Sequence, residues 1–384
     1  MSEKPTGLED VVVGPSSICE VNGLEGKLSY RGYDIHDLAT YSTFEEVCYL
    51  LWFGELPSAM QLRELKDILI FHRQLPQEIY SMIRAFPPYA APMEVLRTAV
   101  SALASFDRSA CIYNRQANMC QTMRLTSQIP AIVAAHHRIR NGLDPVPART
   151  DLGHAANFLY MLTGREPSEH DARIFDIALI LHADHELNAS TFAARVAAAT
   201  LADMYSAITA AIGTLAGPLH GGANQAVLEM LREIGDIDRV EAYIDKALAE
   251  KRRIPGFGHR VYRTEDPRAT HLRRMSGELA ERTGNTKWYN MSRKIEELMK
   301  AKKGLNPNVD FYSATVYHAL GIPADLFTPV FAISRISGWT AHVLEQYQNN
   351  RLIRPRAEYV GHQNRPYIPI GQRDSMEVVA PGTD

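Results

Sequence analysis

A mainly α-helical fold is what this sequence predicts, and three observations carry the expectation. Apolar residues recur at helical spacing from Thr43 to Tyr347, the pattern of elements that bury one face. Almost no stretch alternates apolar with polar residues, and the run Val11 to Val13 is too short to found a sheet. The connections between periodic segments are short and carry helix stops and starts, as at Gly54 and Pro57-Ser58.

In chain order, a small β element comes first, with Ser16 to Val21 and Gly26 to Tyr30 flanking an Asn22-Gly23 turn signal. Helical spacing begins at Thr43 with Phe44, Val47, Leu50 and Leu51, and resumes after Ser58 through Leu62, Leu65, Leu69 and Ile70. Further helices are expected over Met93 to Phe106, Asn118 to Ile139, Asp151 to Leu162, Asp171 to Leu187, Ala223 to Ile234 and Val240 to Lys251. The pattern continues over Pro267 to Thr283, Met291 to Lys302, Phe311 to Leu320 and Pro329 to Tyr347. Between Thr191 and Leu215 alanines crowd the sequence, so helix axes can approach closely, in a helical core or at a subunit interface. The polar tail from Gly371 to Asp384 is expected to fray.

The 384 residues have room for a large core and two domains. A balance of 41 basic against 44 acidic residues, net charge -3, gives no sign of nucleic-acid or membrane-surface binding. The start, Met1 to Asp10, lacks an apolar signal core, and no segment offers the ~20 apolar residues of a membrane span. Cys19, Cys48, Cys111 and Cys120 are scattered and form no C-x-x-C pair, so neither a disulfide framework nor a thiolate metal site is signalled. A cytoplasmic protein with reduced thiols is expected.

Three short segments carry the chemical signal: Gly217 to Asn224 around His220, Pro255 to Arg260 around His259, and Asn306 to Asp310. Each sets one titratable residue among Gly, Pro or Asn, where the backbone turns and a substrate can come close. His220 precedes a helix, whose N-terminal amides disfavour imidazolium, so a neutral donor or a histidine merely filling a tight turn is expected. His259 lies in a basic loop with Arg260, Arg263 and Arg268. Gly256 and Gly258 follow a helix rather than a strand, which rejects a dinucleotide fingerprint and leaves an anion-binding or a solvated basic loop. Asp310 stands where an N-cap would, which would lower its pKa, so a role as base requires burial to oppose capping.

His182 and His185, at i and i+3, are expected on one helix face beside Glu186; the order matches no zinc-protease motif, and a carboxylate-binding or buried histidine is the alternative. Arg335 on an apolar helix needs an anionic partner, whereas Arg354 lies in an irregular tail where solvation suffices.

Taken in order, these motifs resemble the citrate synthase family, from Leu28-Ser-Tyr-Arg-Gly-Tyr-Asp34 to Arg354-Pro-Arg356. The resemblance implies that His220, His259 and Asp310 are the catalytic trio. Asp310 would take a methyl proton from acetyl-CoA, His220 would bond the thioester oxygen, and His259 would polarise the ketone of oxaloacetate. His185, Arg268, Arg335 and Arg354 would hold the oxaloacetate carboxylates, Arg354 reaching in from the other subunit of a homodimer built on the Ala-rich helices. Gly256, Gly258, Arg260, Arg263 and Lys303 would contact CoA, a co-substrate, with no tightly bound cofactor and no metal. The implied fold is a large helical domain, 1–219 and 320–384, with a small domain, 220–319, closing over the site about Gly217 and Gly321. Lack of an N-terminal β-rich extension resembles the short dimeric type.

The nearest rival is 2-methylcitrate synthase, which takes propionyl-CoA; one methylene is worth only about 1–3 kcal/mol in a pocket. A metal-dependent hydrolase using His182, His185 and Glu186, and a helical binding protein without chemistry, are the alternatives from other classes.

Overall fold

The computed structural model describes residues 7–8 and 11–373. Most of the Met1 to Asp10 start, and the tail from 374 onward, lie outside the described residues. Contacts divide the chain into a unit ending at Leu352 and a second beginning at Ile353.

The first unit opens with a three-stranded antiparallel sheet, β1 (Cys19–Asn22), β2 (Lys27–Tyr30) and β3 (Tyr33–Asp34), in that order. Pairing of Asn22 with Lys27 leaves four residues in the first turn rather than the two of an Asn-Gly hairpin. The Asn22 side chain explains the wider loop: its Oδ1 accepts from the amides of Leu24 and Glu25, each at 3.1 Å. Gly26 then takes a left-handed φ of 66°.

Sixteen helices follow among the described residues: α1 (Ile35–Tyr41), α2 (Phe44–Phe53), α3 (Ala59–Phe71), α4 (Gln77–Ala85), α5 (Pro92–Leu103), α6 (Arg115–Arg140), α7 (His154–Thr163) and α8 (Glu169–His182). The rest are α9 (Ala189–Ala198), α10 (Met204–Leu215), α11 (Ala223–Ile234), α12 (Val240–Ala249), α13 (Pro267–Thr283), α14 (Lys287–Lys303), α15 (Val309–Ala319) and α16 (Phe327–Gln348). Local chemistry accounts for the boundaries. Thr43 and Glu46 form a capping box on α2, Gly54 ends it with φ of 95°, and Ser58 with Gln61 caps α3. Two helices went unsignalled: α1, which is one short amphipathic piece, and α4, whose cap residue Pro76 offers no side-chain bond.

One expected boundary is wrong in a way that matters. The helix expected to run to Leu187 stops at His182, so His185 does not share a helix face with it. Asp184 turns inward beyond the helix end, and its backbone amide donates to the buried Tyr30 hydroxyl at 3.3 Å, which fastens the exit segment to β2.

α16 forms the axis of the core, with every residue from Phe327 to Leu344 buried, and it packs against α2, α6, α8, α9 and α10. α9 and α10 lie along each other with Ala194, Ala198, Ala207 and Ala211 buried, so that part of the Ala-rich stretch belongs to the core. α13 and α11 both pack on α15. No described helix is long and apolar enough to cross a membrane, and all four cysteines are free thiols. The second unit is irregular through Gln372 apart from a short 3-10 turn at Ile370–Gln372.

Candidate active site

Two of the three loops are sewn together by backbone. Asn308 N donates to Gly256 O at 2.9 Å, Gly258 N donates to Asn306 O at 3.3 Å, and Phe257 and Pro307 form an antiparallel bridge. The Asn308 side chain adds a bond to Gly258 O at 3.0 Å. Gly256 is required at this seam: φ is 79°, and a Cβ would sit 2.8 Å from the Phe311 side chain. The third loop is folded back on the end of α10, with Gly221 N bonded to Leu215 O at 3.0 Å and Gly221 O accepting from Thr328 at 2.9 Å.

Hydrogen bonding fixes which nitrogen of each histidine carries the proton. His220 Nε2 accepts from the Ser190 amide at 3.3 Å and lies 2.8 Å from Ser190 Oγ, so the ring presents Nδ1–H on its other side. Ser190 Oγ is itself held, accepting from Trp339 Nε1 at 3.1 Å, so its single proton is free to point at His220 Nε2, while Asn188 Oδ1, 2.9 Å from the same oxygen, accepts from the Thr191 amide at 3.2 Å. His259 is the mirror case: Nδ1 accepts from the amides of Val261 and Tyr262 at 3.0 and 3.2 Å, leaving Nε2–H as a donor. Burial, reinforced by Arg335, pushes His220 down to about 4. Burial and then Arg268 do the same for His259, also to about 4. Both rings are neutral donors at neutral pH, and for His220 burial rather than the helix terminus is the leading cause.

Asp310 is not the N-cap of α15. Asn308 is, its side chain accepting from Asp310 N at 3.0 Å, which leaves the Asp310 carboxylate without a hydrogen-bond donor among the described residues. Burial, with the charge of Asp266 adding to it, outweighs Arg268 and Arg335 and raises Asp310 to about 6. The expected lowering by capping is therefore reversed, because the residue two positions earlier takes the cap.

Around this carboxylate stand cations and a ring cluster. His185 and His259 lie 5.2 Å apart in ring centroids and both flank Tyr262, whose hydroxyl is 3.2 Å from His185 Nε2. Burial, Arg268, His259 and Arg335 together hold His185 well below the ordinary histidine range. Arg268 is 2 % exposed and forms a two-pronged pair with Asp266, Nε to Oδ1 at 2.9 Å and Nη2 to Oδ2 at 2.7 Å. Arg335 is 1 % exposed, donates Nε–H to His182 O at 2.7 Å and stacks 4.6 Å from the Phe331 ring. No carboxylate among the described residues lies within ion-pair distance of Arg335, so a buried guanidinium is left without a close counter-charge, an arrangement that favours binding an anion.

A family model for the citrate synthase C-terminal domain matches residues 7–356. The chain belongs to the citrate synthase family. Citrate synthase 2 of Bacillus subtilis (strain 168) is 54% identical over 96% of this chain and 98% of its own length. The 2-methylcitrate synthase 1 of Corynebacterium glutamicum is 42% identical over 97% of this chain and 99% of its own. Among solved structures, citrate synthase from Pyrobaculum aerophilum superposes with a TM-score of 0.90 at 41% identity, covering 96% of this chain and 95% of that one. A ternary complex of the Thermoplasma acidophilum citrate synthase with carboxymethyl coenzyme A and oxaloacetate gives a TM-score of 0.89 at 36% identity, with 96% and 98% covered.

The remaining residues expected for a citrate synthase fall in two places. Arg260, Arg263 and Lys303 are exposed on the surface of the first unit, Lys303 in the last turn of α14. Gly258, at φ of 77°, has open space where a Cβ would stand, while Gly256 is packed under Phe311 and Val227. Arg354 is exposed in the second unit. His182 and His185 do not make a metal pair: His182 points Nδ1 at Ala178 O, 2.8 Å away, while His185 turns to Tyr262. Among the described residues no group of three or more His, Cys, Asp or Glu side chains is arranged to hold a metal.

Sequence reasoning missed Ser190, Tyr262 and Asp266. The sequence marked only the helix expected from Pro267. That the Asp266 carboxylate clamps Arg268 depends on the folded side-chain path.

Proposed function

We propose that the chain condenses acetyl-CoA with oxaloacetate and water to give citrate and CoA, as a citrate synthase. The observation that carries this reading is an undonated carboxylate, raised to about 6, in a site with two neutral histidines whose N–H donors are fixed by backbone amides. A base near that value is ionised at neutral pH and close enough to neutrality to accept a proton from carbon.

Asp310 takes the proton from the thioester methyl group while His220 Nδ1–H donates to the thioester oxygen, which stabilises the enolate as charge develops. The enolate carbon bonds to the ketone carbon of oxaloacetate, and His259 Nε2–H delivers a proton to the ketone oxygen. Water then cleaves the citryl thioester. Arg335, Arg268 and His185 hold the oxaloacetate carboxylates; the unpaired burial of Arg335 supports its part most directly. Arg354 completes the site from the partner in a homodimer, and Arg260, Arg263, Lys303 and the Gly256 to Gly258 backbone bind CoA. The 220–319 segment acts as the closing domain, shutting water out before the enolate forms. No resident cofactor is required, and the reaction belongs to the cytoplasm.

A relative named as a 2-methylcitrate synthase at 42% identity supports propionyl-CoA as a second acyl donor. The test is free-thiol release from acetyl-CoA and from propionyl-CoA, each with and without oxaloacetate. Release dependent on oxaloacetate is expected, and the ratio of the two kcat/KM values assigns the acyl preference. A folded protein giving no oxaloacetate-dependent release refutes the reading.

A further inference from the structure

Near Asp310, whose charge acts on the Tyr317 phenol, two polar atoms are buried without a partner among the described residues: His182 Nε2 and Tyr317 Oη. Both residues are 0% exposed, and their rings lie 6.1 Å apart in centroids. Such orphaned groups are costly to bury unless something bonds them.

Their chemistry defines the partner. His182 Nδ1 faces the Ala178 carbonyl at 2.8 Å and therefore carries the proton, so Nε2 can only accept. Burial, with the Asp310 charge adding to it, raises the Tyr317 phenol, which stays protonated and can donate. Asp310 and Tyr317 lie seven residues apart on α15, two turns and so on one face. The ~10 Å of helix rise between them is largely spanned by a tyrosine side chain leaning toward the N-terminus. One donor and two acceptors, Nε2 and the Asp310 carboxylate, match the bonding capacity of one water molecule, which needs two to four polar partners.

We propose that Tyr317 and His182 hold a buried water that donates to the Asp310 carboxylate, making Tyr317 a positioning residue for the base. The inference rests on the reading of Asp310 as the base of the condensation. The other charged groups acting on Asp310 are Arg268 and Asp266 at the start of α13 and Arg335 on α16. None of them is altered by removing the phenol oxygen.

Tyr317→Phe deletes that oxygen alone, and His182→Phe deletes the acceptor while keeping an aromatic ring. The readouts are the pH profile of kcat, the KM for oxaloacetate, and a crystal structure of the wild type. A hydrogen bond to the charged form lowers a carboxylate pKa, so its loss raises it. For Tyr317→Phe the acid limb of kcat is expected to move up by about one pH unit, with kcat at pH 6.5 falling several-fold. The KM for oxaloacetate should stay at the wild-type value, and His182→Phe should move the limb in the same direction. The wild-type crystal should show the bridging water. An unshifted limb in whichever of the two variants folds, a changed KM with unchanged kcat, or a dry gap between Tyr317 and His182 overturns the proposal. Asp310→Asn is the control: if it retains turnover, the assignment of the base fails instead.

Discussion

Replacing Asp310 by Asn tests the site through stability as well as catalysis. The carboxyl is raised from 3.8 to about 6, and each pKa unit corresponds to about 1.36 kcal/mol, so keeping this group ionised costs the folded state up to about 3 kcal/mol at pH 7.5. The sign follows from linkage. A raised native pKa contributes stability that is fully present below about 3.8 and is lost as pH rises through about 6. Asn cannot ionise, so the variant should be more stable than the wild type at pH 7.5, by at most about 3 kcal/mol, and the gap should shrink to about half at pH 5. Equilibrium urea denaturation at several pH values measures this. Turnover should fall by about 10²- to 10⁴-fold, since only the general base is removed. A variant that is less stable than the wild type at pH 7.5, or one whose advantage grows toward acid, would refute the claim that Asp310 is held without a protein donor and against its own charge.

Three further outcomes are expected. The acid limb of wild-type kcat should fall near pH 6, where Asp310 gains its proton, whereas His220 and His259, each lowered to about 4, stay neutral across that range; a limb near 4 would assign it to a histidine. Arg335→Gln should weaken oxaloacetate binding, read by calorimetry, by about 2–5 kcal/mol, as expected for truncating one partner of a buried charge pair, while the ligand-free protein keeps or gains stability because no acid partner is lost. Gly256→Ala should destabilise by roughly 2–4 kcal/mol through its positive φ and the packed Phe311, and Gly258→Ala, strained but unobstructed, by only about 1 kcal/mol; equal effects would mean that packing at the seam does not matter.

Most of the fold was legible in the sequence because helical periodicity and caps are local signals. Ser58, Gly54 and Pro267 each marked a boundary that the structure keeps. The failures lie where a non-local contact overrides the local pattern. Nothing in the apolar spacing of Asp171 to Leu187 marks a helix end at His182. The exit segment is set by Asp184 against Tyr30, some 150 residues away in the chain, and by the bond between Asp184 and His342 at 3.1 Å. The site shows the same division. His220, His259 and Asp310 stood out because their glycine, proline and asparagine neighbours are local. The lone pair that Ser190 directs and the cap that Asn308 takes from Asp310 depend on which of several nearby polar groups wins a bond, and neighbours in sequence do not decide that.

The short ladder between Gly256–Gly258 and Asn306–Asn308 has a consequence for anyone rebuilding this site. The histidine assigned to the ketone and the aspartate assigned to the methyl group hang from two loops that behave as one cassette. Grafting either loop alone from a relative would shear the joint and displace both groups together. Exchanging the pair as a unit, by contrast, would preserve the spacing between proton donor and base while leaving His220 anchored to Ser190 on a separate support. Acyl preference is best recast by changing the walls facing the thioester and carrying this double loop over intact.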